Sequence, residues 1–188
     1  MIKEEDYTLG LDISTSIVGI SIFKNKEFLL MDHIDLSKTK CIFDKSEIVY
    51  SKLEEIKNKF VISNIFIEDI LQSFQRGLSS AKTLTQLAKF NGIVSNMSFM
   101  LLRVKPVFIN VNTARKILEI KINKNDSKST KEQIIEWVDR DLGGYTWPKK
   151  VISRGKNKGR VKFEKYCYDM SDAYVICKAG INNNGISK

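Results

Sequence analysis

The residues best able to do chemistry are acids, and they stand at three places in the chain. Asp12 lies in the stretch Thr8 to Phe23, where two apolar, β-branched runs flank the polar turn at 12–16. This pattern reads as a hairpin whose first strand carries one carboxylate to its exposed end. An aspartate following Leu9 and Leu11 in a central strand is costly to desolvate unless a cation or hydrogen-bond donors meet it. The small residues Ser14, Thr15 and Ser16 leave room beside it for a metal ion or a phosphate. Glu68 and Asp69 end the short apolar run Val61 to Ile67, and a salt bridge or a helix cap is their alternative use. Asp169 and Asp172 stand at i and i+3, on one face of a helix and in its first turn, where the helix dipole favours negative charge. They could be surface acids at a helix start. Against that, Ala173, Tyr174, Val175 and Ile176 follow directly, so this turn enters a core, and no basic residue precedes Lys178 within the helix to offset them.

The elements that must position these acids follow from periodicity. Residues 7–13, 17–24 and 27–34 read as three antiparallel strands, the last two joined at Lys24-Asn25-Lys26. Helical spacing of Ile48, Val49, Leu53, Ile56 and Phe60 predicts an amphipathic helix over 45–59, followed by a strand at 61–67. A polar loop from Leu71 to Ser80 leads into a long helix, Ala81 to Arg103, with apolar residues on more than one face. A strand at 106–111 comes next, then a short helix capped by Asn112 or Thr113 and ending at Leu118. Ser129 is placed to cap a helix from Lys131 to Leu142, with Glu132 completing a capping box. The last helix begins near Tyr168 and runs to about Ala179, leaving a flexible tail at 182–188. The expected fold is α/β in one domain over 1–188: a mixed central sheet of three antiparallel strands and two further strands, with helices on both faces.

Composition narrows the function classes. The chain has 188 residues, 43% hydrophobic and 28% charged, enough for one substantial core. Three cysteines, Cys41, Cys167 and Cys177, share no metal-ligand spacing and give no disulfide framework, which suits a reducing cytoplasm. No signal peptide is expected at the acidic start, and no apolar stretch approaches the ~18 residues of a membrane span. His33 is the only histidine, so a histidine triad or a zinc site would rest on it alone, and its strand-like setting reads as structural. The formal charge is +9, and residues 145–166 carry eight basic residues against the single acid Glu164, a net +7. Val151 and Ile152, the glycine-bounded turn 155–159, then Val161 and Phe163 at alternate positions read as a basic two-stranded ribbon within that segment. Arg154, Lys156, Lys158 and Arg160 are its candidate phosphate contacts, and a lysine-rich surface loop is the plainer alternative.

A hairpin like the first one heads both the ribonuclease H-like nucleases and the actin-like ATP-binding proteins. The latter need a second subdomain to close over ATP, for which this length leaves no room. Four segments in order, Leu9 to Thr15, Phe66 to Glu68, Leu84 to Gly92 and Asp169 to Ala173, resemble the bacterial RuvC-type Holliday junction resolvases, over about residues 7–180. The resemblance implies a ribonuclease H-like fold, with catalytic and metal-holding carboxylates at Asp12, Glu68, Asp169 and Asp172. It implies a basic residue near the scissile bond, matched by Lys131 in the segment 129–133 and more weakly by Arg115 or Lys116. Leu71 or Phe74 would take the place of the residue that stacks on bases at the junction centre. Two departures stand out: the loop after Glu68 is longer than in the family, and residues 143–167 intervene where the bacterial enzymes pass almost directly between helices, more as in a phage-type member.

What the resemblance implies chemically is consistent with the donor set. Carboxylates without histidine suit Mg²⁺, with Mn²⁺ as a substitute, rather than zinc. Two such ions about 4 Å apart would serve phosphodiester hydrolysis leaving a 5′-phosphate and a 3′-hydroxyl, with Asp12 bridging them. The expected enzyme is a structure-selective endonuclease for four-way or other branched DNA, serving recombination and repair. It would act in a bacterial or infected-host cytoplasm, as a two-fold homodimer joined through the Ala81–Arg103 helix, with no membrane partner. A protein that binds branched DNA without cutting it is the other reading, disfavoured because four idle acids beside DNA would repel it.

Overall fold

A computed structural model describes residues 5–70, 81–155 and 158–184. Leu71, Phe74 and Lys156 lie outside the described residues. The chain opens with β1 (Tyr7–Ile13), β2 (Ile17–Lys24) and β3 (Glu27–Asp35), then α1 (Ile42–Lys59) and β4 (Ile62–Glu68). There follow α2 (Ala81–Leu102), β5 (Val107–Ile109), α3 (Val111–Ile117) and α4 (Thr130–Asp141). The short strands β6 (Lys149–Val151) and β7 (Val161–Phe163) lead into α5 (Tyr166–Asn184).

The first five strands form one sheet in the order β3-β2-β1-β4-β5. β1, β2 and β3 pair antiparallel, whereas β4 runs parallel to β1 and β5 parallel to β4. The β2–β3 hairpin turns on Asn25 and Lys26, both with positive φ (50° and 73°), the backbone that a two-residue hairpin matching strand twist requires. In the β1–β2 turn the Ser14 hydroxyl accepts from Ile17 N at 3.0 Å and donates to Ile17 O at 2.8 Å. That closes the chain tightly behind Asp12.

Strand alternation splits the core in two. Leu9, Leu11 and Ile13 of β1 face α1 and α2, in a cluster with Val49, Leu53, Ile56, Phe90 and Val94. Thr8, Gly10 and Asp12 face the other way, onto α5, where Phe66, Tyr174, Ile176 and Cys177 join Ala114 of α3 and Ile134, Ile135 and Val138 of α4. This gives helices on both faces of a mixed five-stranded sheet, as the sequence predicts. α5 can press directly on the sheet because glycines lie beneath it. A Cβ on Gly10 would stand 2.4 Å from Cys177 Cβ and 2.6 Å from Ala173 O, and one on Gly19 would stand 2.0 Å from Asp169 O. The Ser21 hydroxyl donates to Ala173 O at 2.8 Å across the same contact.

Several boundaries differ from the sequence reading, each for a local reason. α1 begins at Ile42, three residues early, because Cys41 rather than a polar residue stands at its N-cap. β5 stops at Ile109, since Asn110 caps α3 by accepting from Asn112 N at 2.9 Å, so neither Asn112 nor Thr113 is the cap. α5 is longer at both ends, and residues 182–184, expected as the start of a flexible tail, are its last turn. α4 has the expected capping box, Ser129 N donating to Glu132 Oε2 at 2.8 Å and Glu132 N to Ser129 Oγ at 3.3 Å. Phe90 of α2 is fully buried in the core, whereas Phe99 and Met100 are the exposed apolar side chains of that helix. No helix among the described residues is long and apolar enough to cross a membrane.

Candidate active site

The parallel register of β1 with β4 decides where the first two acids meet. Leu11 pairs with Ile67, so Asp12 and Glu68 end adjacent strands side by side, both on the face covered by α5. Their carboxyl groups are hydrogen-bonded to each other. The close approach of α5 at Gly19 brings its first turn, with Asp169, onto this sheet edge, and Asp172 follows one helical turn on. α3 contributes Arg115 and the first turn of α4 contributes Lys131. All six side chains line one cavity of about 530 Å³ at the carboxyl ends of the two parallel strands.

Burial dominates the electrostatics of this cavity. Loss of water, then repulsion from Glu68, Asp172 and Asp169, holds the Asp12 carboxyl well above the usual carboxylate range, against the opposing pull of Lys131. Burial and the nearby Asp172 push Glu68 up to about 7, with Arg115, Lys131 and the hydrogen bond from Asp12 working in the other direction. Burial raises Asp172 to about 6, opposed by Lys131 and Arg115, and raises Asp169 against Lys131. Five acids sharing a cavity with two bases leave negative charge uncompensated there, and a cationic ligand would relieve it.

The donor set fits a hard divalent ion: five carboxylates, Asp69 among them, with no sulfur and no imidazole. Among the described residues the acids line the cavity without three of them closing on one point.

The structure brings Arg115 to the cavity and not its neighbour Lys116, which is exposed and does not line it. Arg115 Nε is buried with no hydrogen-bond partner among the described residues. Lys131 sits over the ring of Tyr168 at 5.8 Å. Asp69, the second acid of the pair that ends β4, also lines the cavity, as do Asn91 and Asn112, which sequence reasoning missed as site residues. Asn91 is the informative one: it is 4% exposed, its amide donates to the backbone carbonyl of Glu68 at 3.5 Å, and its own carbonyl accepts from Ser95 Oγ at 3.1 Å. The signal was a polar side chain on the same helix face as Phe90 and Val94. His33 stays out of the cavity lining and stacks flat on Tyr166, centroids 3.7 Å apart.

The basic segment folds back on itself, β6 pairing antiparallel with β7. Arg154, Lys158 and Arg160 are exposed at its far end, away from the acid cavity's lining.

No protein-family model matches this sequence, and no curated protein matches it. Solved structures do match its fold. Thermus thermophilus RuvC in complex with Holliday junction substrate is 13% identical, with a TM-score of 0.62 over 96% of this chain and 95% of that one. A second Thermus thermophilus RuvC structure gives 15% identity and a TM-score of 0.61 over 96% of both chains. The yeast mitochondrial Holliday junction resolvase Ydc2 gives 14% identity and a TM-score of 0.55 over 93% of this chain and 77% of that one. From end to end, then, the chain has the fold of the RuvC-type resolvases, the ribonuclease H-like fold that its acid motifs resemble.

Proposed function

We propose that this protein is a divalent-metal-dependent endonuclease that cuts branched DNA, with four-way junctions as its substrate. The observation that carries this reading is the convergence of Asp12, Glu68, Asp169, Asp172, Arg115 and Lys131, from five separate elements, on one cavity at the carboxyl ends of β1 and β4. The likeness in fold to a RuvC in complex with Holliday junction substrate supports the choice of ligand.

Asp12, Glu68, Asp169 and Asp172 are the residues that would hold Mg²⁺ or Mn²⁺. Bound there, a pair of such ions supplies the ionisation of an attacking water and stabilises the leaving 3′ oxygen, giving a 5′-phosphate and a 3′-hydroxyl. The chain's own groups do the rest. Lys131, exposed at the cavity mouth on a helix N-terminal turn, meets the negative charge of the scissile phosphate. Arg115, with a buried Nε unpaired among the described residues, supplies a second donor and holds the phosphate in place. Asn91 fixes the backbone of Glu68 so that its carboxylate stays beside Asp12.

A four-way junction presents two equivalent strands, so a two-fold dimer is the assembly that resolves it. The exposed Phe99 and Met100 of α2 are the side chains for that interface, and Phe90, being core, is not. The free cysteines Cys41, Cys167 and Cys177 suit action in a reducing cytoplasm.

The decisive measurement is incubation with an end-labelled four-way junction, a fork and a plain duplex, with Mg²⁺ and with EDTA. Symmetric, Mg²⁺-dependent nicks in the junction are expected. Absence of cleavage of all three substrates with either Mg²⁺ or Mn²⁺ removes the nuclease reading, and a monomeric mass in light scattering at working concentration removes the dimer.

A further inference from the structure

The two faces of the β6–β7 ribbon are unlike. Lys149 pairs with Phe163, Lys150 with Lys162, and Val151 with Val161. Side chains directly opposite each other share a face, and faces alternate along a strand. One face therefore carries Lys149, Val151, Val161 and Phe163, and the other carries Lys150 and Lys162. Lys150 is already engaged, paired with Glu164 at 2.5 Å.

The first face is anchored at its base. Phe163 meets Trp147 and Tyr168 edge-on, with centroids at 6.4 and 6.5 Å, and Tyr168 lies beneath Lys131 at the rim of the acid cavity. Further out, the same face continues as Val151 and Val161, each 63% exposed. Two β-branched side chains side by side on a ribbon thus leave most of their apolar surface in water. Beyond them toward the turn stand Arg154 and Lys158, both exposed, whereas Arg160, paired with Ile152, belongs to the opposite face with Lys162. The strand pairing extends toward these residues, with Ile152 N donating to Arg160 O and Gly159 N to Ile152 O, both at 2.9 Å, so the ribbon continues past the valines.

An apolar pair framed by guanidinium and ammonium groups is complementary to a duplex groove, whose floor offers sugar and base edges and whose rims are phosphates. A second copy of this chain is the wrong occupant, because the ribbon segment holds a net +7 of the chain's +9 and two such segments repel. We infer that the ribbon grips a duplex arm of the DNA: Val151 and Val161 lie in a groove, and Arg154 and Lys158 reach the phosphates on its rims. The packing of Phe163 on Tyr168 sets the distance from that arm to the acid cavity. This inference rests on the proposed function for the identity of the ligand as DNA and adds a second contact, remote from the cutting site, to it.

The test uses the full-length protein in EDTA, so that binding is read without cleavage, on a short blunt duplex and on a four-way junction across a range of salt. Val151→Ser with Val161→Ser should weaken duplex binding by about tenfold while leaving the salt slope unchanged. Replacing Arg154 and Lys158 with alanine should lower the log-log salt slope by about 1 to 2, at about 0.9 per lost phosphate contact. Arg160→Ala and Lys162→Ala, on the opposite face, should each lower the slope by less than about 0.5. Unaltered thermal melting shows that each variant is folded. Wild-type affinity and slope in both multiple variants overturn the grip. So does a valine variant that changes the mass of the protein in scattering with no change in DNA affinity, since the face is then a protein interface. A wild type that cuts neither junction, fork nor duplex with Mg²⁺ or Mn²⁺, while the Arg154 and Lys158 variant loses salt slope, removes the nuclease reading and leaves the grip supported.

Discussion

The ammonium of Lys131 lies 5.8 Å from the ring centroid of Tyr168, and that ring is held edge-on by Phe163 of β7. Lys131 makes no ion pair among the described residues, so the ring face is what limits where its charge can sit at the cavity mouth. A cation over an aromatic face at a partly exposed site is worth about 0.5–1 kcal/mol. Tyr168→Leu should therefore lower the rate of junction cleavage by about twofold to fivefold, with junction affinity in EDTA unchanged. Tyr168→Phe keeps the ring and should keep the rate. The upfield NMR shift of the Lys131 ε-methylene protons should be present in wild type and Tyr168→Phe and lost in Tyr168→Leu. Equal rates in all three proteins would remove Tyr168 from any part in placing the lysine.

Asp12→Asn keeps the shape of the side chain and deletes the charge at the centre of the acid cluster. Cleavage should vanish while junction binding persists or tightens, because a negative charge beside the phosphates has gone. Without metal the variant should also be the more stable protein, by on the order of 1–3 kcal/mol, since three neighbouring acids repel Asp12 in the wild type. Paired thermal melts in EDTA measure this. A variant that cuts at the wild-type rate shows that Asp12 has no place in the mechanism.

The same acids give the metal-free protein a pH dependence of definite sign. Burial, first of all, raises Glu68 to about 7 and Asp172 to about 6 in the folded chain, above the ordinary values of 4.5 and 3.8 that the unfolded chain would have. Between those limits the folded state binds more protons than the unfolded state, so stability falls as pH rises. In EDTA the melting temperature should climb by a few degrees as the pH is lowered from about 8 to about 6. With saturating Mg²⁺ the slope should flatten, the ion now holding the ionised carboxylates. A melting temperature that drops over that interval in EDTA contradicts the burial of these acids in a shared cavity.

The β1–β2 hairpin and the place of Asp12 at the end of its first strand were legible because two apolar, β-branched runs broken by the small polar residues Ser14, Thr15 and Ser16 have few other readings. The capping box at Ser129 and Glu132 was legible for the same local reason, since it depends on contacts three residues apart. What could not be read depends on rotation or depth. Arg115 and Lys116 are neighbours on α3, about 100° apart around the helix axis, and only the packing of Ala114 against the sheet decides which one faces the acids. The ends of α5 were blurred because the helix is buried nearly all round, so no polar face marks where it starts and stops. Asn91 shares a helix face with Phe90 and Val94, but what its amide does there depends on a hydrogen bond to Glu68 across 23 positions. The outward apolar face expected of α2 shrinks to Phe99 and Met100 once Phe90 and Val94 are spent on the core.

The geometry of the site depends on a residue that carries no chemistry at all. Gly19 of β2 lies under the first turn of α5, and a Cβ there would stand 2.0 Å from Asp169 O and 2.4 Å from Asp169 C. Both atoms are backbone of the helix that supplies two of the cavity's acids, so neither can swing aside as a flexible side chain would. Gly19→Ala must lift the N-terminus of α5 from the sheet and carry Asp169 and Asp172 away from Asp12 and Glu68. Overpacking of this kind costs about 1–3 kcal/mol, and cleavage should fall far more steeply than that loss of stability implies, because the acids no longer share one cavity. Gly92 of α2 is the matched control, with nothing within 4 Å of an added Cβ and ordinary helical backbone. Gly92→Ala should gain about 0.5–1 kcal/mol from lost chain entropy and cut junctions at the wild-type rate. Thermal melts and single-turnover cleavage of the two variants side by side measure the difference. If Gly19→Ala melts and cuts like wild type, α5 does not rest on β2 as closely as the structure places it.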